Sequence, residues 1–308
     1  MFKKLFASPL IRYGVPALMV LTLILAFPGA RALASQLLDL FRVQQVAVVP
    51  IDVTGIEKLN GNEALGKQMS QLISDSMKVT KESGDPVEVS DAGEASQLAG
   101  FTVRLPQGSI PSRISVTNGS AFAVTVDRAK AQALFKEAGR SDLVLPESID
   151  GAEISVEIPA GVSVAYGTCP PPGTKDDPDM SERGSRRRLY ADCVIFAQIP
   201  SPTVTAPPSV DVPQLAQIAL EFTGMSSEQA KAFTDTVDWT STLVVPIPRN
   251  AATYEQVSVD GVTGTLIQRP SDDAPQYALL WVKDGVIYMI GGLGSNSQQA
   301  IDMANSLH

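Results

Sequence analysis

The sequence predicts an α+β fold, with an N-terminal membrane-anchor helix followed by a mainly antiparallel sheet with packed helices. Three observations lead to this prediction. An uncharged apolar run occupies residues 15–27. Short strands fill the last third of the chain, and Asp-Gly pairs join two neighbouring pairs of them. Helical patterns are interspersed among the strands without regular alternation, which favours α+β over a doubly wound parallel sheet.

The apolar run Val15–Phe27 predicts an exported domain. Three basic residues precede it: Lys3, Lys4 and Arg12. Because positive charge is retained on the cytoplasmic side, we expect a cytoplasmic N-terminus and an extracytoplasmic chain after about residue 35. The span 13–34 reaches the roughly 20 residues that a transmembrane helix needs, which favours a single-pass anchor. Ala32-Leu33-Ala34 follows the helix break Pro28-Gly29, so secretion after cleavage near Ala34 is the alternative.

Three regions follow from this pattern. Residues 1–34 are the anchor or signal segment, and 35–42 are predicted as a juxtamembrane amphipathic helix because Leu37, Leu40 and Phe41 recur at helical spacing. Residues 43–308 are the extracytoplasmic α+β domain. The chain from residue 35 onward holds 20 basic and 33 acidic residues, because four of the 24 basic residues and no acidic one lie before position 35. The resulting charge of −13 argues against nucleic acid and against docking on anionic lipid.

The first half of the domain mixes both element types. Strands are predicted at 43–53, 113–117, 121–126 and 154–158. Asn118-Gly119 predicts a hairpin between the second and third of these strands. Apolar spacing predicts one helix face from Leu65, Met69, Leu72, Ile73 and Met77. A capping box at Asp91 and Glu94 opens a second helix, and Asp127 opens a third that Gly139 closes.

The second half is predicted as paired strands, helices and a meander. Strands 162–166 and 193–199 flank a cysteine loop. One helix is lined by Leu215, Ile218, Ala219 and Phe222, and a second begins at the cap Ser226 with Gln229. The meander comprises 242–247, 254–259, 262–268, 277–282 and 286–290, and a last helix covers 297–307. We expect Tyr277, Leu279 and Trp281 on one buried face, and Leu280 and Val282 on the other.

Cys169 and Cys193 are the only cysteines, and a lone pair in an exported protein predicts a disulfide, with two reduced thiols as the alternative. The loop at 169–193 is polar, and its charged residues form a candidate partner surface: Asp176, Asp177, Asp179, Arg186, Arg187 and Arg188. A solvated loop is the simpler interpretation. The acidic residues lack the glycine and the distal glutamate of a calcium-binding EF-hand loop.

No motif for catalysis, cofactor binding or metal binding is present, so we expect a protein that is not an enzyme. The only histidine is His308 at the C-terminus, which argues against hydrolases with a Ser-His-Asp or Cys-His site. Gly291-Gly292-Leu293-Gly294 lacks the lysine of a phosphate-binding loop, so these glycines are predicted to end a strand.

Several segments resemble a known outer domain. These are ARALASQLLDLFRVQQVAVVPID (30–52), EASQLAGFTVRLP (94–106), YEQVSVDGVTGTLI (254–267) and ALLWVKDGVIYMIGGLG (278–294). Together they resemble the extracytoplasmic domain of unknown function found on bacterial membrane proteins related to anti-sigma factors. The short N-terminus lacks the cytoplasmic helical domain that would hold a sigma factor, so the resemblance implies an accessory or sensory outer domain.

Two functions are therefore expected. The first is a non-enzymatic, membrane-tethered sensing or regulatory domain in bacterial envelope signalling, with a protein partner in the envelope. The alternative is an exported carrier that binds a lipid or a lipoprotein acyl chain. A large apolar cavity lined by the C-terminal meander would favour the carrier, whereas a filled core would favour the protein-partner function.

Overall fold

Strands dominate the computed structural model, which describes residues 43–51, 63–169, 192–249, 252–269, 276–293 and 296–308. The strands are β1 Gln45–Ile51, β2 Met77–Lys81, β3 Val87–Val89, β4 Arg113–Thr117, β5 Ser120–Thr125, β6 Glu153–Ile158, β7 Gly161–Tyr166, β8 Val194–Pro200, β9 Thr203–Thr205, β10 Thr242–Pro248, β11 Thr253–Val259, β12 Val262–Arg269, β13 Gln276–Lys283 and β14 Val286–Leu293. The helices are α1 Glu63–Ser76, α2 Ala92–Ala99, α3 Arg128–Glu137, α4 Val212–Phe222, α5 Ser227–Thr236 and α6 Gln298–Asn305.

These strands form three sheets. The largest has the order β11-β12-β13-β14-β8-β7-β4-β3, the second has the order β2-β5-β6-β9, and β1 pairs with β10. All pairings in the two larger sheets are antiparallel, and β1 and β10 are parallel. The prediction of an α+β domain with mainly antiparallel sheet is confirmed.

Two Asp-Gly turns set the register of the C-terminal meander, as predicted. Asp260 and Gly261 have φ values of 53° and 78°, and Asp284 and Gly285 have 52° and 76°. Positive φ at both central residues is the geometry of a two-residue hairpin whose twist matches that of its strands. The turns therefore join β11 to β12 and β13 to β14.

The predicted hairpin at Asn118-Gly119 is wrong. β4 pairs with β3 and β7 in the eight-stranded sheet, whereas β5 pairs with β2 and β6 in the four-stranded sheet. Neither Asn118 nor Gly119 has a positive φ. A Cβ at Gly119 would lie 2.7 Å from the carbonyl oxygen of Ile158. Glycine is needed there because the chain passes closely under another backbone as it changes sheets.

The predicted meander strand 242–247 is also misplaced. Its residues form β10, but β10 leaves the meander and pairs in parallel with β1, from Gln45 opposite Thr242 to Ile51 opposite Pro248. Local sequence favours pairing with the next strand along the chain, and this pairing joins residues 197 positions apart.

The helix caps agree with the sequence, and some helix faces do not. Asp91, Asp127 and Ser226 each accept a hydrogen bond from the backbone N–H three residues later. Met77 begins β2 instead of continuing α1, and Ile73 is 59% exposed, so the predicted α1 face is wrong at both positions. In α4 the buried residue is Leu220, and Ala219 is exposed.

The Trp281 face of the eight-stranded sheet holds the main core, as predicted. Trp281, Leu279 and Ile290 are fully buried there. The Trp281 ring stacks on the rings of Tyr288 at 5.1 Å and Phe196 at 6.2 Å between centroids. Helices α2 and α6 and the extended segment 101–105 cover this face. The meander face is thus filled by packed side chains.

The opposite face, called the Val282 face, is covered near the Asp-Gly turns by β1 and β10. Val43, Val46 and Leu243 pack there against Val282 and Ile287. The expectation that both faces of the β13–β14 hairpin are covered is confirmed at this end. The chain enters the domain at the same end, where the N–H of buried Val43 donates to the Ser201 hydroxyl at 2.6 Å.

The predicted anchor, the predicted amphipathic helix at 35–42 and the charged residues of the cysteine loop lie outside the described residues. Within the described ranges, no helix combines the length and the apolar character needed to cross a membrane.

Candidate functional site

The Cys169–Cys193 disulfide closes the connection between two central strands of the eight-stranded sheet. β7 ends at Tyr166, and its partner β8 begins at Val194. Cys169 lies three residues after the end of β7, and Cys193 directly precedes β8. They are bridged with an S–S distance of 2.04 Å and a Cα–Cα distance of 4.8 Å. The predicted disulfide is confirmed, and it indicates an oxidising, extracytoplasmic environment.

A glycine lets the two chain segments approach below the bridge. Gly167 has a φ of 74°, and a Cβ there would lie 2.0 Å from the carbonyl oxygen of Asp192. Any other residue would force these backbones apart, so Gly167 fixes where the loop leaves the sheet. The loop charges at 176–188 lie outside the described residues, so their arrangement stays a prediction.

We call this end of the eight-stranded sheet the cysteine end. The first residues of β11 and β13 lie at this end, and so do the last residues of β12 and β14. The two Asp-Gly turns and Ser201 lie at the opposite end. Connections at the end of a rigid sheet are common positions for binding residues, so the cysteine end is the first candidate site.

We expect removal of the disulfide to lower stability without changing the sheet order. The double variant Cys169→Ser and Cys193→Ser frees the loop in the unfolded chain, which costs about 3 kcal/mol by the loop-entropy argument. Chemical denaturation of the variant and of the oxidised wild type measures this difference. Reduced wild type is the control and should match the variant. Equal stability of all three would show that the bridge does not hold the domain together.

Tyr166 lies at the cysteine end as an unusual buried polar group. The residue is 7% exposed, and its hydroxyl has no hydrogen-bond partner among the residues that the structure describes. Burial raises the pKa of Tyr166 to about 12. A hydroxyl buried without a partner has lost its water and gained no bond in return, so it destabilises the folded state.

Tyr166→Phe is therefore expected to keep or raise stability, by up to about 1 kcal/mol, because it removes only the unpartnered oxygen. The change in denaturation midpoint measures this effect. A matched control is Tyr277→Phe, since Tyr277 is also a buried tyrosine of the Trp281 face. A loss of more than 1 kcal/mol in Tyr166→Phe alone would show that the hydroxyl has a stabilising partner.

A second polar constellation surrounds Asp260 at the turn end. The Asp260 side chain is 6% exposed. Arg104 donates to both of its carboxylate oxygens, at 2.5 and 2.8 Å, and Lys283 donates to Oδ1 at 2.8 Å. Trp281 Nε1 lies 3.4 Å from Oδ2. The Asp260 backbone N–H donates to Asn305 Oδ1 at 2.9 Å, which ties the turn to the end of α6.

Arg104 is itself held on several sides. Its backbone N–H donates to Oε1 of Gln198, and Nε2 of Gln198 donates to its carbonyl oxygen, at 3.0 and 2.8 Å. Gln198 is fully buried on the Trp281 face. The guanidinium also donates to the Leu307 carbonyl and lies 5.9 Å from the Tyr288 ring centroid. Nothing in the local sequence predicted this cluster, because Arg104 and Asp260 are 156 positions apart.

The cluster is suited to holding the fold. Burial alone would raise the pKa of Asp260, but the hydrogen bonds from Arg104 and Lys283 lower it below its ordinary value. The carboxylate therefore stays ionised at neutral pH, whereas a general base works best with a pKa near the operating pH. Its two oxygens already accept bonds from two cations. We interpret the cluster as a clamp that joins segment 101–106, the β11–β12 turn and the C-terminus.

A surface cavity of about 280 Å³ lies between α1 and α3. Its lining combines apolar and charged side chains, among them Leu72, Leu134, Asp75 and Lys130. Lys130 lies 3.8 Å from Asp75 and 3.3 Å from Asp127. The cavity is open, and none of its lining residues belongs to the C-terminal meander, so it does not form an enclosed apolar site of the kind that a lipid carrier needs.

The C-terminus is held against the domain, and one prediction about the glycines of β14 is wrong. The C-terminus is docked, since Leu307 bridges to Pro106 and the His308 N–H donates to the Leu105 carbonyl at 3.4 Å, although the His308 side chain is exposed. β14 continues through Gly291 and Gly292, so the prediction that these glycines end the strand is wrong. A Cβ at Gly292 would lie 2.6 Å from the Tyr277 hydroxyl, so glycine makes room for that ring.

The described residues thus present three candidate features: the disulfide at the cysteine end, the clamp around Asp260, and an open surface cavity between α1 and α3. Comparison with known proteins adds no assignment: the chain matches no family model, no curated protein and no solved structure.

Proposed function

We propose that this chain is a non-enzymatic, membrane-tethered extracytoplasmic domain that acts by binding a protein partner in bacterial envelope signalling. The observation that carries the proposal is the bridge between Cys169 and Cys193, which fixes both ends of a polar loop on a packed sheet. A loop with almost no apolar content cannot form a core of its own, so a bridge that retains it is consistent with a role at the surface.

The filled meander favours a protein partner over the carrier alternative. Trp281, Phe196 and Tyr288 occupy the face that an acyl cavity would need, and all three are nearly or fully buried. The described cavity between α1 and α3 is small and partly charged. The lipid or lipoprotein-acyl carrier therefore has less support than the partner-binding function.

The signalling role and the tether rest on the sequence. The apolar run Val15–Phe27 supports a tether, and the resemblance to outer domains of anti-sigma-related membrane proteins supports a regulatory role. The disulfide supports an extracytoplasmic location for the domain. A reporter fused after His308 should be active only outside the cytoplasm. The mature N-terminus separates the two topologies, since a chain beginning at Ser35 would be a secreted protein.

Partner capture tests the binding proposal. The full chain is isolated from the envelope after mild chemical cross-linking, and the co-purifying proteins are identified by mass spectrometry. One variant replaces the three loop arginines, Arg186, Arg187 and Arg188, with glutamine. A second variant replaces the three loop aspartates, Asp176, Asp177 and Asp179, with asparagine. We expect at least one of these variants to lose the captured partner while keeping the wild-type melting temperature.

A matched control carries the same loss of three positive charges on another exposed surface. Lys67, Lys78 and Lys81 are exposed on α1 and β2, and their replacement with glutamine should leave capture unchanged. Capture that survives both loop variants, or that fails equally in the control, would contradict the assignment of the loop as the partner surface.

A further inference from the structure

β11 forms one edge of the eight-stranded sheet, next to β12 alone. A two-residue turn joins these strands, so the flanking pair Val259 and Val262 is hydrogen-bonded, and bonded pairs recur at every second residue. The residues between the bonded positions direct their backbone N–H and C=O groups away from β12. These residues are Tyr254, Gln256 and Ser258. Among the described residues, these outward backbone groups have no hydrogen-bond partner.

The other edge strands carry features that discourage pairing with another chain. Short length, proline, lysine and bulges all protect sheet edges. β3 and β9 have three residues each. β1 contains Pro50, and β10 contains Pro246 and Pro248. β2 carries Lys78 and Lys81 and has a register shift next to Val79.

β11 has none of these features. It is seven residues long, pairs with β12 in an unbroken register, and contains no proline and no lysine. Its only charged residue is Glu255, and Tyr254 is 43% exposed. Within the described strands, β11 is thus the one edge that is open to strand addition.

We propose that β11 pairs antiparallel with β11 of a second copy of this chain, in a two-fold symmetric register centred on Gln256. Gln256 then lies opposite Gln256 of the second copy, and Tyr254 lies opposite Ser258. All three outward residues of each strand become bonded, which gives six backbone hydrogen bonds. Glu255 lies opposite Val257, so the two carboxylates do not face each other directly.

Neighbouring registers form fewer backbone hydrogen bonds. A register centred on Glu255 or on Val257 leaves one outward residue of each strand unpaired and forms four backbone bonds. The first also places the two Glu255 carboxylates directly opposite, which is destabilising. The two-fold contact uses the same edge of both copies, so the assembly stops at a dimer. The far edge of each sheet is the three-residue β3, which does not extend the assembly.

A single cysteine tests both the contact and its register. Opposite residues of a bonded antiparallel pair have Cα atoms about 5.5 Å apart, within the range for a disulfide. Gln256→Cys in the full chain should therefore give a disulfide-linked dimer in the envelope. Ser258→Cys is the matched control, since it is on the same strand and the same sheet face. Its symmetry mate would be roughly 14 Å away along the strand, so it should stay monomeric under non-reducing conditions.

A backbone variant tests the same contact without a cross-link. Gln256→Pro removes an outward N–H and leaves every backbone bond between β11 and β12 in place. It also removes the side-chain bond from Gln256 Nε2 to Thr265 Oγ1, which Gln256→Thr removes as well. The purified full chain should sediment with the mass of two copies as wild type and with the mass of one copy as Gln256→Pro. Gln256→Thr retains the N–H and should remain dimeric.

Several results would overturn the proposal. A wild-type chain that sediments as a single copy, together with no cross-link for Gln256→Cys, would exclude the dimer. Equal cross-linking of Gln256→Cys and Ser258→Cys would exclude the register. A Gln256→Cys cross-link to a chain of different mass would show that the edge receives another protein.

Discussion

Trp281→Ala is expected to lower the free energy of unfolding by roughly 3–5 kcal/mol. Trp281 is fully buried, and its ring stacks between neighbours on the Trp281 face, 5.1 Å from the Tyr288 centroid. Alanine would leave a cavity that Phe196 and Tyr288 fill only in part, because both are held by their own strands. The Trp281 Nε1 contact to Asp260 would also be lost. Natural domains have total stabilities of only 5–15 kcal/mol, so this variant approaches global unfolding.

Chemical denaturation followed by circular dichroism measures the effect of Trp281→Ala. Met289→Ala is the control, since Met289 lies on the neighbouring strand β14, points to the opposite face and is 37% exposed. Met289→Ala should lower the free energy of unfolding far less than Trp281→Ala. Trp281→Phe keeps an aromatic ring in place and should lower it by an intermediate amount. An unchanged melting temperature for Trp281→Ala would contradict the assignment of this residue to the core.

Asp260→Asn is expected to cost about 2–4 kcal/mol, because it leaves the positive charges of Arg104 and Lys283 close together without a counter-charge. Asparagine tolerates the positive φ of this turn, so the backbone effect is small. The figure is below that for a fully buried pair, since the side chains of Arg104 and Lys283 remain 21% and 30% exposed.

The chain supplies a matched control in its second Asp-Gly turn. Asp284 has nearly the same φ as Asp260, it is exposed, and it forms no ion pair within the described residues. Asp284→Asn should therefore change stability by less than about 0.5 kcal/mol. A similar cost for both variants would show that the turn backbone, and not the ion pairs, accounts for the loss.

The same carboxylate predicts a dependence on pH. Because the pKa of Asp260 is lowered in the folded state, its contribution is fully present above the ordinary value of 3.8. It is lost as the pH falls below that value and through the lowered pKa. The difference in stability between wild type and Asp260→Asn should thus be constant near neutral pH and shrink in acid. A difference that grows in acid would contradict the lowered pKa.

The sequence predicted elements that depend on local signals. The Asp-Gly turns placed the β13–β14 hairpin correctly, because positive φ values are encoded in the turn residues themselves. The side-chain caps at Asp91, Asp127 and Ser226 were also visible in the sequence. The disulfide followed from residue count and compartment alone, and the buried faces of the hairpin followed from alternation.

Features that depend on distant contacts were not predictable. Asn118-Gly119 is a strong hairpin signal, but the flanking strands pair with other strands in two different sheets, and those partners include residues far away in the sequence. The clamp at Asp260 needs Arg104 and Gln198, which approach only when segment 101–106 lies across the completed sheet. The charged loop candidates stay a prediction, and the edge exposed by β11 could be recognised only once the strand order was known.

The parallel pairing of β1 with β10 has a consequence for biosynthesis. Gln45 emerges 197 residues before its partner Thr242. At typical synthesis rates of 5–20 residues per second, β1 waits about 10–40 s for the strand that will pair with it. During that time its apolar residues Val46, Val49 and Ile51 lack their final neighbours, so this short segment needs a holding chaperone until β10 has been synthesised.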